Sequence, residues 1–170
     1  MPCLVAHIAL GWIIYLVLHM RYEGVERYRA VILLGSILPD AKVFLAAPMM
    51  FFNMNAAESI MVVMHSPLGA FLLGVFTASF FKDFKVVLAL FVIGIASHFA
   101  LDITMYPFGG VHHYLLLYPL SYEPIGIEAF WAVDCLTLGL VILAIIMTLL
   151  IKFFINNKRK WKIIKKYYLE

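Results

Sequence analysis

Apolar residues fill this chain in long runs, and polar residues fall between the runs or stand alone inside them. The first run covers residues 4–20, the second 30–52, the third 67–81, the fourth 86–105 and the fifth 125–155. A helix of about 20 apolar residues crosses the hydrocarbon of a bilayer. The pattern therefore predicts an all-α, polytopic membrane protein with about five transmembrane helices. Proline carries no N–H and crowds the preceding turn, so the second helix breaks at Pro39-Asp40. Broken backbone at membrane depth is tolerated where it lines a cavity or lies beneath protein. Asp40 is accordingly expected to face a pocket, roughly mid-membrane. His65-Ser66-Pro67 starts the third helix, with Ser66 as N-cap and Pro67 at the first helical position. Tyr106-Pro107-Phe108-Gly109-Gly110 ends the fourth. The first run lacks a basic leading region and a small-residue cleavage pattern before Arg21, so it reads as a retained helix rather than a signal peptide.

Composition strengthens this picture. Hydrophobic residues make up 65% of the chain and charged ones 14%, against roughly 45–50% apolar residues in a soluble domain. The net charge of +3 does not point to a nucleic-acid partner, because the basic residues sit in short loops and a tail. Every Lys and Arg except Lys42 lies in residues 21–29, in 82–85, at Lys152 or in the tail 156–170. With five spans these segments share one side, and the positive-inside rule makes that side cytoplasmic. The expectation is a prokaryotic cell-membrane protein with the N-terminus outside, an integral helical domain over residues 1–156 and a basic cytoplasmic tail over 157–170. Residues 48–64 are rich in methionine around Phe51, Phe52 and Glu58. They read as an interfacial lip over a lipid-accessible groove, or as a packed connecting helix. Cys3 and Cys135 define neither a metal motif nor a disulfide framework.

The isolated polar residues carry the chemistry. His98 and Asp102 lie four apart on one helical face, an arrangement that suits a shared metal ion or a hydrogen bond between helices. His7 stands near the outer end of helix one, Asp40 at the break, and His65 at the head of helix three. Ionisable groups in hydrocarbon are costly and are by default a functional site. His7, Asp40, His65, His98 and Asp102 form a nitrogen-and-oxygen donor set without thiolates. Such a set suits Zn²⁺ first and Mn²⁺ or Fe²⁺ next, as one ion or two. A metal with an open position brings bound water toward neutrality and turns it on an ester or phosphodiester. Glu128 is a catalytic acid–base candidate, or a carboxylate favoured at a helix N-terminus. Asp134, six residues on, points about 120° away from it. His112 and His113 are candidates for a second metal or for substrate, and Lys42 for a phosphate or for pairing with Asp40. The partners implied are membrane lipids and a lipid-like substrate. Two other functions fit the same residues: a metal- or proton-handling transporter or sensor, and a non-catalytic assembly protein.

The ordered set Ala6-His7, Gly35-Ser36-Ile37-Leu38-Pro39-Asp40, His65-Ser66, Ser97-His98-Phe99-Ala100-Leu101-Asp102, Gly109-Gly110 and Leu117-Tyr118-Pro119-Leu120-Ser121 resembles the LexA-regulated, membrane-bound predicted metal-dependent hydrolases. The histidine–aspartate series is similar, more remotely, to the zinc-dependent phospholipases C. That resemblance implies that Asp102 bridges metals, that Asp40, His65 and His98 hold one of them, and that His7 serves another. Two departures stand out: Met61-Val62-Val63-Met64 replaces a histidine-containing segment, and His112, His113 and Glu128 do not match the later ligand spacing.

Overall fold

Long stretches free of proline and rich in Leu, Ile, Val, Phe and Ala leave the backbone one economical way to satisfy its own hydrogen bonds in an apolar setting, and that is the helix. A computed structural model describes residues 4–41, 48–49, 51–104, 115–123, 125–127, 129 and 135–168, with the backbone alone at 41, 58, 135–136 and 155–168. Among the described residues the longer α-helices follow in the order α1 Leu4–Arg21, α2 Arg29–Ile37, α3 Met54–Met64, α4 Pro67–Ala78, α5 Phe84–Thr104 and α6 Cys135–Tyr168. Short 3₁₀ turns at Val25–Tyr28 and Leu38–Ala41 bracket α2. Among the described residues there is no strand, and the molecule is an all-helical membrane protein.

Among the described residues three stretches are long and apolar enough to span a membrane: α1, α5 and Thr137–Phe154 within α6. The pair α3–α4, bent by 78° at its break, makes a fourth if it counts as one span. The sequence expects about five. The difference lies in α2 and α4, which are only 9 and 12 residues long. The break at Pro39 falls where expected: α2 stops at Ile37 and the chain tightens into the Leu38–Ala41 turn. Ser66 caps α4 as its sequence dictates, its Oγ accepting from Gly69 N at 3.0 Å with Pro67 in the first turn. Asn53 caps α3 through Ala56 N in the same way.

The last helix departs from expectation at both ends. It begins at Cys135 rather than at residue 125, and it continues to Tyr168, beyond the expected limit of residue 155. Residues 125–127 and 129 are not helical because their backbone has other partners. Ile127 N donates to Ile103 O at 2.7 Å and Ala129 N to Thr104 O at 3.0 Å. The carbonyls at a helix C-terminus have no partner within the helix, and here this segment supplies one for α5. At the other end nothing interrupts the helix, since no Pro or Gly follows Gly139.

The core lies where α2 crosses α5, with Ile32, Val87 and Phe91 fully buried. A methyl group on Gly94 would sit 2.5 Å from Ile32 O, and one on Gly35 would sit 2.6 Å from Phe91 O. The two backbones therefore touch, as small residues allow between membrane helices. Gly11 brings α1 onto α2 likewise, 2.6 Å from Ser36 Oγ. Outside this core the surface is strongly apolar: Leu72, Phe76, Leu149 and Phe153 are all more than half exposed, as suits side chains that meet hydrocarbon.

Candidate metal centre

One turn beyond the glycine contacts, four separate elements each deliver a His or an Asp to one point. His7 comes from α1, Asp40 from the turn after α2, His65 from the corner between α3 and α4, and His98 with Asp102 from α5. Four of them are buried, and His65 is 10% exposed. His65 Nε2, His98 Nε2 and Asp102 Oδ2 form a triangle with sides of 3.1, 3.2 and 3.2 Å. A tetrahedral zinc with bonds of about 2.0–2.1 Å separates its ligands by about 3.3 Å. The other oxygen of Asp102, Oδ1, lies 3.3 Å from His7 Nε2. Asp40 divides itself in the same manner, with Oδ1 3.6 Å from His65 Nε2 and Oδ2 3.9 Å from His7 Nε2. The His7 and His98 rings stack at 4.0 Å.

Proline prepares the orientation of His98. In the 3₁₀ pattern the N–H of residue 39 would bond to the carbonyl of Ser36, but Pro39 has none to give. His98 Nδ1 takes that carbonyl instead, donating to Ser36 O at 2.9 Å. This bond turns Nε2 toward the cluster, the arrangement by which an outer partner fixes a ligating imidazole.

Hydrogen bonding does not account for the cluster. Both ring nitrogens of His7 and both carboxylate oxygens of Asp102 are buried without a hydrogen bond among the described residues. Buried polar atoms are nearly always bonded, and a carboxylate against three histidines calls for a cation. Two overlapping triads, His7–Asp40–His98 and His65–His98–Asp102, each bring their donor atoms within 4.8 Å of one another. The residues fit a divalent metal.

All five residues expected as ligands meet. Asp40 lies in the same layer as the other four rather than deeper, its oxygens 3.6 Å from His65 Nε2 and 3.9 Å from His7 Nε2. Lys42, His112, His113, Glu128 and Asp134 lie outside the described residues. The last helix starts at Cys135 rather than at Ile125. The backbones of Ile127 and Ala129 are tied to the end of α5, just past Asp102. The sequence reading missed the Ser36 carbonyl and the glycine layer. The latter left a signal: Gly11 is four residues after His7, and Gly94 four before His98, which is one face of one turn.

The family model described as YdjM inner membrane protein matches residues 1–167. The chain belongs to that family. It is thus a membrane protein by family as well as by its apolar helices. Neither the curated proteins nor the solved structures contain a match.

Proposed function

We propose that the cluster is a zinc centre of one or two ions, with Mn²⁺ or Fe²⁺ as substitutes, and that the protein hydrolyses an ester or phosphodiester of an amphipathic, lipid-like substrate. The observation that carries this reading is the meeting of five His and Asp side chains at one buried point, where both ring nitrogens of His7 and both carboxylate oxygens of Asp102 have no hydrogen bond among the described residues. In this reading His65, His98 and Asp40, with Asp102, would hold one ion. His7 would serve the other, with Asp102 shared between the two. That division follows the roles implied by resemblance to the membrane-bound metal-dependent hydrolases and the zinc phospholipases C. When bound, zinc supplies a Lewis acid and water acidified toward neutral pH.

The chain's own contribution is to hold and orient. Ser36 O keeps His98 in one tautomer, and the stacked His7 ring limits rotation of its neighbour. His65, the most exposed of the five, marks the side from which substrate arrives. Glu128 is proposed as acid or base, Lys42 as a phosphate contact, and His112 or His113 as further ligands or substrate contacts. The site belongs to the outer leaflet, with the N-terminus outside and the basic segments cytoplasmic. Conduction through the same residues would need a polar path toward the basic side. Between the cluster and the basic side lie the buried apolar side chains of Phe91, Ile32 and Val87 and the close Gly35–Gly94 contact, which favours a closed-ended site.

Elemental analysis of detergent-purified protein tests the centre. One or two zinc or manganese ions per chain are expected, lost in the His98→Ala/Asp102→Ala double variant, together with metal-dependent cleavage of lipid-like esters. Absence of metal after anaerobic reconstitution, or full activity in the double variant, would end the proposal.

A further inference from the structure

At the opposite end of the helices, α1, the Val25–Tyr28 turn and the start of α5 line a cavity of about 470 Å³. That volume is within the range of small-ligand sites, about 300–1,000 Å³. It is some 11 residues along α1 from His7, or about 17 Å, and shares no residue with the metal cluster. One wall is apolar, formed by Leu18, Val86, Leu90 and Ile93 on the two spanning helices. The rim is charged, formed by Glu23, Arg27 and Asp83.

The rim is built rather than casual. Tyr28, only 8% exposed, donates its hydroxyl to Asp83 Oδ2 at 2.6 Å and so ties the first loop to the turn before α5. The Arg27 guanidinium lies over the same ring, 4.8 Å from its centre. One phenol thus fixes a cation and an anion, contributed by different segments, at the mouth of one apolar cavity. Arginine suits a phosphate. Two carboxylates, Glu23 and Asp83, suit an ammonium group that brings N–H donors. The apolar wall suits acyl chain.

We infer that this cavity binds a zwitterionic membrane phospholipid with a primary-amine headgroup, its phosphate on Arg27 and its ammonium between Glu23 and Asp83. A glycerol headgroup leaves both carboxylates uncompensated. A choline headgroup brings charge without a donor. The inference is independent of the metal centre and of any hydrolytic activity.

Native mass spectrometry of the full chain, released from detergent with equal amounts of ethanolamine-, glycerol- and choline-headed phospholipids of matched chains, tests it. The ethanolamine lipid is expected to be retained about fivefold or more over the other two. Glu23→Gln with Asp83→Asn should remove that preference, the Asn side chain still accepting from Tyr28, and Arg27→Ala should weaken all three lipids. Glu23→Gln alone, at an exposed position, should already reduce the preference. Equal retention by the wild type, or a preference that survives the double variant, would overturn the inference. Metal content measured on the same samples is expected to stay unchanged.

Discussion

Proline 39 acts through an atom it lacks. Its missing N–H leaves Ser36 O to His98 Nδ1, so Pro39→Ala returns a competitor for that carbonyl without disturbing any ligand. The expected result is an intact fold with metal affinity reduced about tenfold, in line with the loss of an outer partner to a ligating histidine. Competition against a chromogenic chelator measures it, and unchanged affinity would show that the Ser36 contact does not matter. The five donors themselves were legible in the chain. Each is an ionisable residue stranded among apolar neighbours, and His98 with Asp102 also shows the spacing of one helical turn. What they bond to was not legible, because a backbone carbonyl carries no sequence signature. Nor does the chain state which oxygen of Asp40 or Asp102 faces which histidine, since that follows from how three helices cross.

At the level of elements, the crossing of α2 and α5 decides whether the donors meet. Gly94→Ala places a methyl group against Ile32 O, and Gly35→Ala places one against Phe91 O. Either substitution is expected to cost about 1–3 kcal/mol of stability through overpacking. Each should also reduce bound metal, although neither residue is a ligand. Thermal unfolding in detergent alongside elemental analysis checks both effects. A second joint, the Tyr28–Asp83 hydrogen bond, gives a pH signature. Asp83 raises the pKa of the Tyr28 hydroxyl above its ordinary value. Its stabilisation is therefore complete below the ordinary tyrosine pKa, about 10, and is lost as pH rises through the folded-state value. Unfolding followed from neutral to strongly alkaline pH should show that loss in the wild type and not in Tyr28→Phe. The helix break at Pro39 and the cap at Ser66 were readable because proline and serine act through local chemistry. The start of the last helix was not: Ile125-Gly126-Ile127 continues an apolar run, and nothing in that run reports that its N–H groups serve the end of α5.

Seen whole, α1 and α6 run in the same direction. Leu140 packs on the Ala6–Leu101 pair, and two turns further along both helices Thr148 Oγ1 accepts from Trp12 Nε1 at 2.9 Å. Two parallel spans start on the same side of the membrane, so the chain between them returns to its starting face. The termini are then expected on opposite faces, which paired reporter fusions at the two ends would detect; both reporters on one face would contradict this packing. That parity agrees with an odd number of crossings, as the five apolar runs imply. The tight apolar layer beneath the metal cluster has one more consequence. A charge placed on His7, His98 or Asp102 is insulated from the basic end of the molecule by Ile32, Val87 and Phe91. On the proposed reading of a metal site open to the outer leaflet, ions that enter or leave the cluster would cross only a small part of the electrical field of an energised membrane. In a living cell the loading of this centre should follow the ion activity and acidity of a single compartment, and it should stay constant when the membrane voltage is collapsed.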